Sequence, residues 1–240
     1  MKTIILCGGE GMRMREETQF RPKPMAQIGG KPVLWHIMKI YAHFGFRDFI
    51  LALGYKGDMI QSHFKDNHDD FNITFVNTGL ESLTGDRIRS LEHLIKEDEF
   101  MLTYGDAVAN VSIPALIDYY KNQRTMATLT GVRPHSRYGL LELDQNKNIV
   151  TGFRRRPRLH DYVNGGYMIF NKNFFGFLNT HTNPDLDYVL ADLAEAGGLS
   201  TYKHEGFWKP MDTYKELLEL REIWSEEKPW AIWEKSDEKI

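Results

Sequence analysis

Apolar residues in the first half of this chain fall into short runs separated by segments with a helical repeat. Ile4-Ile5-Leu6 predicts a strand over 3–6, and the apolar spacing of 33–44, introduced by Gly29-Gly30-Lys31-Pro32, predicts an amphipathic helix. The alternation continues with strand 48–53, helix 58–65, strand 73–76, helix 87–95, strand 100–104 and helix 113–122. Strand–helix alternation with short connections predicts a mostly parallel sheet covered by helices on both faces. Ligands bind beyond the carboxyl ends of strands in such sheets. The loop after Leu6, Gly54-Tyr55-Lys56 and Gly105-Asp106 are therefore expected to share one crevice.

The second half changes character. Segments 127–132, 139–143, 149–153 and 166–170 have strand patterns, with Asn146-Lys147-Asn148 as a turn. Helices follow over 186–196, stopped by Gly197-Gly198, and over 214–224, with Trp230 and Trp233 beyond. No repeat, low-complexity stretch or linker divides the chain, so 1–240 reads as a single domain. Its first half runs to about residue 125 and its β-rich lobe with C-terminal helices from about 126. The fold class is α/β, a Rossmann-like, mostly parallel mixed sheet flanked by helices, with a smaller β-rich lobe for a substrate.

Composition narrows the partners. A net charge of −3 leaves no basic excess to neutralise a nucleic-acid backbone. No apolar run approaches the roughly 18 residues that span a bilayer, and no signal-peptide pattern precedes the loop after Leu6. Neither nucleic acid nor membrane is expected as a partner. The single cysteine, Cys7, fits a reducing compartment, so a cytoplasmic location is expected. Its place between strand and loop suits packing better than reactivity. The nine histidines show no metal-ligand spacing, and His36, on a helical apolar face, reads as structural.

Candidate chemistry concentrates where the first strand ends. Leu6-Cys7-Gly8-Gly9-Glu10-Gly11-Met12-Arg13 brings three glycines to a strand end, where free N–H groups make a concave anion site, and Arg13 adds a fixed charge for phosphate oxygens. The expected ligand is a nucleoside triphosphate or another polyphosphate. The loop is neither a Walker A, having no Gly-Lys-Ser/Thr, nor a dinucleotide fingerprint. Lys23, between Pro22 and Pro24, is expected in a stiff extended segment that fixes where its ammonium points. Alone it would read as a solvated lysine; beside a phosphate loop it reads as a stabiliser of phosphoryl charge. Asp106 ends an apolar strand at the same edge and could hold Mg²⁺, which needs only one or two protein carboxylates when phosphates and waters complete the octahedron. Asp212 is either the second carboxylate or the N-cap of the following helix.

The ordered set of motifs resembles the sugar-1-phosphate nucleotidyltransferase family, and within it the cytidylyl branch. The resemblance runs over nearly the whole length. It rests on the glycine loop, Lys23-Pro24-Met25, Gly30-Lys31-Pro32-Val33-Leu34-Trp35-His36-Ile37-Met38, Gly54-Tyr55-Lys56-Gly57, Thr84-Gly85, Tyr104-Gly105-Asp106, Asn164-Gly165-Gly166 and Trp208-Lys209-Pro210-Met211-Asp212-Thr213. It implies a nucleotide-diphospho-sugar transferase fold and a Mg²⁺-dependent in-line displacement. CMP passes from CTP to a sugar 1-phosphate and pyrophosphate leaves, for nucleotide-sugar and polysaccharide synthesis. It further implies catalytic roles for Arg13, Lys23 and Asp106, nucleotide contacts from Leu6, Gly8, Gly9, Gly11, Thr84 and Gly85, and metal ligation by Asp106 and Asp212. Acceptor contacts fall to Gly139, Arg155, Arg156, Asn164 and Gly165, and a homo-oligomer is expected.

Three departures stand out. Relatives commonly carry Phe-x-Glu-Lys-Pro where this chain has Phe153-Arg154-Arg155-Arg156-Pro157, so a hydrogen-bond acceptor becomes a donor at Arg155. Either the acceptor is more acidic or differently shaped, even a non-glucose or non-sugar phosphate, or Arg155 turns to solvent. The segment 65–72 is short against the relatives, and Asp86 replaces a glycine after Thr84-Gly85. A non-catalytic nucleotide-binding regulator is the remaining reading, but it has no need of paired metal carboxylates.

Overall fold

The apolar runs of the first half become the centre of a seven-stranded sheet. The computed structural model describes residues 1–66, 69–144 and 146–234, so Asn67 and His68 of the short 65–72 segment lie outside the described residues. In chain order the elements are β1 (Thr3–Cys7), α1 (Arg15–Thr18), β2 (Gln27–Ile28), β3 (Lys31–Pro32), α2 (Val33–His43), β4 (Asp48–Leu53), α3 (Gly57–Asp66) and β5 (Asn72–Asn77). There follow α4 (Thr84–Ser90), β6 (Glu99–Tyr104), β7 (Ala107–Ala109), α5 (Ile113–Gln123), β8 (Ala127–Val132), β9 (Leu140–Leu143) and β10 (Val150–Arg154). The chain continues through β11 (Val163–Asn171), α6 (Phe174–Leu178), α7 (Leu186–Glu195), β12 (Leu199–His204), β13 (Trp208–Pro210) and α8 (Tyr214–Glu226).

The sheet order is β12-β8-β11-β6-β1-β4-β5. β6, β1, β4 and β5 run parallel, and β12 runs parallel to β8. Only β11 is reversed, antiparallel to both β6 and β8. The carboxyl ends of six strands and the amino end of β11 therefore share one edge, and strands from both halves of the chain build one sheet. Successive strand residues face opposite sides. Ile5 joins Ile37, Tyr41, Ile60, Leu116 and Leu217 under α2, α3, α5 and α8. Ile4 and Leu6 join Ile88, Phe174, Leu186 and Leu193 under α4, α6 and α7.

Several elements differ from the sequence pattern. The helix expected at 87–95 begins at Thr84 and ends at Ser90, with a 3-10 turn Glu92–Leu94 after it. Leu91 and Ile95 are buried beyond the helix, which extends the apolar spacing past its true end. Lys23-Pro24-Met25 forms a 3-10 turn, with only Pro22 extended before it. β12 and the short pairing of β7 with β13 were not expected; β12 is a partly exposed polar edge strand, and β13 contains a proline. β9 and β10 form a separate ribbon in which Leu141 faces Phe153 and Leu143 faces Val150. All four of these side chains are at least half exposed on its outer face.

His36 lies where a structural histidine was expected. It is fully buried with its ring edge-on to Trp224 at 4.6 Å, and the Trp230 indole Nε1 donates to its Nδ1 at 3.3 Å. That assignment puts the proton on Nε2, which donates to the Ile28 carbonyl at 2.9 Å. Burial is the main cause of its pKa falling from 6.5 to about 4. Between those values the unfolded chain holds the extra proton, so stability rises with pH through this window and is lost as pH falls. The cost is about 1.4 kcal/mol per pH unit and about 3 kcal/mol in all. Denaturant unfolding from about pH 7 to about pH 4.5 should show a shallower loss in His36→Gln than in the parent; parallel losses would contradict this account.

Candidate active site

Two cavities meet at the strand-end edge. The first, about 430 Å³, is lined by Leu6, Gly8, Gly9, Gly11, Arg13, Lys23, Thr84, Arg87, Tyr104 and Asp106 among others. The second, about 1100 Å³, is walled by Arg133, Arg137, Tyr138, Arg158, Asn164, Gly165, Glu205, Trp208 and Asp212. Arg13, Tyr104 and Asp106 line both. The two cavities thus adjoin at the side chains expected to handle phosphate.

Arg87 shapes the glycine loop from below. Its Nη2 donates to the Gly8 and Leu80 carbonyls at 3.2 and 2.9 Å, and its Nη1 to Leu53, Gly79 and the Thr78 hydroxyl at 2.7–3.2 Å. Five acceptors from three strand ends converge on one buried guanidinium, whose pKa burial pulls down. A Cβ on Gly8 would lie 2.1 Å from Arg87 Nη1, and Gly11 takes a φ of +65°, so both positions require glycine. Gly54-Tyr55-Lys56 does not line the cavity. Tyr55 donates its amide to Gly8, while its hydroxyl and the Lys56 ammonium hold the Thr18 carbonyl, so this loop supports the glycine loop from outside. Cys7 is buried, and burial pushes its thiol pKa up, as an inert packing residue requires.

At the junction, Lys23 Nζ lies 2.6 Å from Asp106 Oδ2 and 3.0 Å from Asp212 Oδ1. Arg13 reaches the same Asp212 oxygen at 3.1 Å, and Arg137 bridges Asp212 Oδ2 at 3.4 Å and Glu216 Oε1 at 3.2 Å. Burial opposes the charged form of Lys23, whose side chain is 12 % exposed, yet Asp106 and Asp212 outweigh it and its pKa rises. Burial likewise opposes ionised Asp212, but Lys23, Arg13 and Arg137 hold its pKa below the ordinary carboxylate value. The helix-cap role considered for Asp212 falls to its neighbour. Thr213 is the N-cap of α8, in a capping box with Glu216, and the Asp212 side chain is free to face the site.

The other expected site residues divide. Asn164 and Gly165, at the start of β11, line the larger cavity, and the Gly165 carbonyl accepts from Trp208 Nε1 at 2.8 Å. Thr84 reaches the rim of the smaller cavity while its hydroxyl accepts from the Leu186 amide at 2.7 Å. Gly85 is outside the lining: it is packed against Pro184, whose carbonyl accepts its amide. Gly139 sits under the Phe153 ring, also outside the lining. Arg155 and Arg156 are exposed and do not line the cavity, and Asp86 pairs with Arg89. Instead Arg133, Arg137 and Arg158 line it, together with Arg13 and Lys209. Arg133 and Arg137 carry no signal of their own in the sequence, and Arg158 only closes the basic run Arg154-Arg155-Arg156-Pro157-Arg158; their position after β8 and β10 is what could have suggested them.

Comparison with known proteins agrees with this geometry. A family model described as "Nucleotidyl transferase" matches residues 2–225. The chain is 38 % identical to a probable glucose-1-phosphate cytidylyltransferase of Bacillus subtilis, over 97 % of this chain and all of the relative. It is 38 % identical to a glucose-1-phosphate cytidylyltransferase of Salmonella typhi, over 98 % of this chain and all of that one. These matches extend over 256 and 259 residues, more than the 240 here, so the relatives carry residues this chain lacks. A crystal structure of a putative glucose-1-phosphate thymidylyltransferase from Bacillus anthracis superposes with a TM-score of 0.75, covering 94 % of this chain and 96 % of the other at 17 % identity, and so shares the fold.

The glycine loop's dependence on Arg87 is measurable. Arg87→Met strips five acceptors of their donor, and with partial rescue by water it should lower unfolding stability by about 3–5 kcal/mol. Denaturant unfolding checks this; a loss below about 1 kcal/mol would show that the loop does not rest on the guanidinium.

Proposed function

The chain belongs to the sugar-1-phosphate nucleotidyltransferase family, and from that premise we propose that it transfers CMP from CTP to a sugar 1-phosphate, releasing pyrophosphate and giving a CDP-sugar. The observation that carries this reading is the junction of two cavities at Arg13 and Asp106, with the Lys23–Asp106–Asp212 cluster set into it. One cavity has the backbone character of a phosphate cradle, and the other is wide, aromatic-floored and rimmed by arginines. The choice of CTP is supported by the two cytidylyltransferase relatives.

In this mechanism a phosphate oxygen of the acceptor attacks the α-phosphorus, and the bond to the pyrophosphate oxygen breaks in line. That phosphate is already anionic at neutral pH, so no strong base is needed. Rate comes from holding the two phosphates in register and from neutralising charge on the leaving group. Glycine-loop amides orient the triphosphate, Arg13 meets its β- and γ-phosphates, and the Lys23 ammonium passes from the carboxylates to oxygens of the reacting phosphate. Asp106 and Asp212 present hard oxygen donors around a single point, a set suited to Mg²⁺ completed by phosphates and waters, and they would hold it. When bound, the ion supplies Lewis-acid polarisation of the phosphoryl oxygens.

The setting is the cytoplasm, in nucleotide-sugar synthesis for polysaccharide or modified sugars. Its support is the lone buried Cys7; no helix among the described residues is long and apolar enough to cross a membrane. We further propose a homo-oligomer, supported by the outward apolar face of the β9–β10 ribbon, on which Phe153 is 67 % exposed. Sedimentation should return a mass above the 28.0 kDa of one chain.

A matrix of each nucleoside triphosphate against a panel of sugar 1-phosphates, read by pyrophosphate release, tests the reaction. CTP should be preferred, and Lys23→Met and Asp106→Asn should each lower kcat by at least about 100-fold with unchanged circular dichroism. Turnover within about threefold of the parent in both variants would defeat the mechanism.

A further inference from the structure

Apart from Lys209, which is paired with Glu219, the cations in and beside the larger cavity stand in two groups. The first, Arg13, Lys23 and Arg137, surrounds Asp212 at the junction. The second lies where β8 and β12 end. Arg133 Nη2 and Arg158 Nη2 both bind Glu205 Oε2, at 2.6 and 3.0 Å, and the Tyr162 hydroxyl donates to Glu205 Oε1 at 2.8 Å. Lys203 sits 5.2 Å over the Tyr162 ring. Two guanidinium groups here share one carboxylate, and Arg133 keeps a buried Nε without a hydrogen-bond partner among the described residues. Hydrogen bonds from Arg133 and Tyr162 drive the Glu205 pKa down to about 2, so its negative charge is already counted in this balance.

The sheet sets the distance between the groups. Along its edge the strands run β6, β11, β8, β12, so Arg133 lies two strand spacings and Glu205 three from Asp106. At about 4.8 Å per spacing that is roughly 10–14 Å, beyond the reach of a single phosphate held at the junction. Between the groups lies Trp208, its indole N–H committed to Gly165, so what it offers the cavity is an apolar ring. A floor suited to a sugar ring thus has a cationic cluster at each end. Arg155 and Arg156, outside the lining, do not contribute to either.

We propose that the acceptor carries a second anionic group, a carboxylate or a second phosphate remote from its 1-phosphate, and that Arg133 and Arg158 select it. Glu205 acts as an internal stand-in for that anion, holding the two partly exposed guanidinium groups together until the acceptor's own anion joins or displaces it. A paired guanidinium fork is the geometry that carboxylate and phosphate recognition favours. The inference rests on the cytidylyl-transfer reading and extends it to the class of acceptor.

The test uses the full chain with CTP and Mg²⁺ and three acceptors: a neutral hexose 1-phosphate, the same sugar oxidised to a carboxylate at C6, and the same sugar with a second phosphate at C6. At least one anionic acceptor should exceed the neutral one in kcat/KM by about tenfold or more, and the better of the two identifies the anion. Arg133→Met with Arg158→Met should bring that ratio close to one. Glu205→Gln, which keeps both arginines and removes the competing charge, should lower KM for the anionic acceptor severalfold; a merely structural ion pair would leave the ratio unmoved. Equal or better use of the neutral acceptor by the parent chain would overturn the proposal while leaving cytidylyl transfer standing. No pyrophosphate from any acceptor would overturn both.

Discussion

One ammonium between two carboxylates is the constraint around which the site is organised. Asp106 and Asp212 lie on segments far apart in sequence, and each is within 3.0 Å of Lys23 Nζ. Unscreened, two carboxylates so placed would repel by a few kcal/mol at the effective dielectric of a protein surface. Lys23 removes that penalty, and the backbone makes the arrangement rigid: Pro22 and Pro24 fix the lysine's turn, and the Met211 amide donates to the Asp106 carbonyl at 2.8 Å. The opposite pKa movements of Lys23 and Asp212 express the same coupling, since each charge stabilises the other. With its carriers pinned by the backbone, the cluster leaves chiefly the Lys23 ammonium to move when phosphates arrive, which keeps the reorganisation that electrostatic catalysis must limit to one side chain.

The single reversed strand explains how a second cavity comes to adjoin the first. A wholly parallel sheet would present only carboxyl ends at this edge. Because β11 runs against β6 and β8, its first residues, Val163 to Gly165, arrive beside Tyr104 and Asp106. β8 and β12 then run parallel to β6 again and bring Arg133 and Glu205 to the same edge. The result is a row of strand ends in which nucleotide-side and acceptor-side residues are neighbours by topology, the switch point where open α/β sheets bind ligands.

How much of this the sequence disclosed follows from the range of each interaction. The central parallel strands were legible because both faces are covered and their apolar runs are nearly continuous, as in 48–53, which matches its observed limits; 127–132 also matches, though it alternates with threonine. β12 was not, because an edge strand reading Leu-Ser-Thr-Tyr-Lys-His has no such signal. Gly8, Gly11, Lys23 and Asp106 could be picked out because each directly follows a strand or a proline-fixed turn. Arg87 could not, since its value lies in carbonyls drawn from 34 and 79 residues away. The run Arg154-Arg155-Arg156 attracted attention by local charge density, but Arg154 pairs with Glu142 on the ribbon and Arg156 adopts a φ of +48° at the turn that leaves it. For these three arginines nearness in sequence to a strand end did not become nearness to the cavity, whereas Arg158, two residues further on, lines it.

The two cavities are built from different materials, and that difference bears on how such a protein can change. The triphosphate side is made of backbone: glycine amides, carbonyls gathered by Arg87, and a Cβ-intolerant Gly8. Almost any side-chain substitution there disturbs the path of the chain itself. The acceptor side is made of side chains on the segments leaving β8, β10 and β12, where Arg133, Arg158 and Glu205 are partly exposed and bonded mainly to one another. Their replacement alters charge at the far end of the cavity without moving Lys23, Asp106 or Asp212. On the proposed reading, transfer chemistry and acceptor choice are therefore separable, with Trp208 and Asn164 lining the cavity that both share. Function of this kind is set by the site and not by the fold, and on the proposed reading the part that chooses the acceptor is the arginine-lined end of the larger cavity.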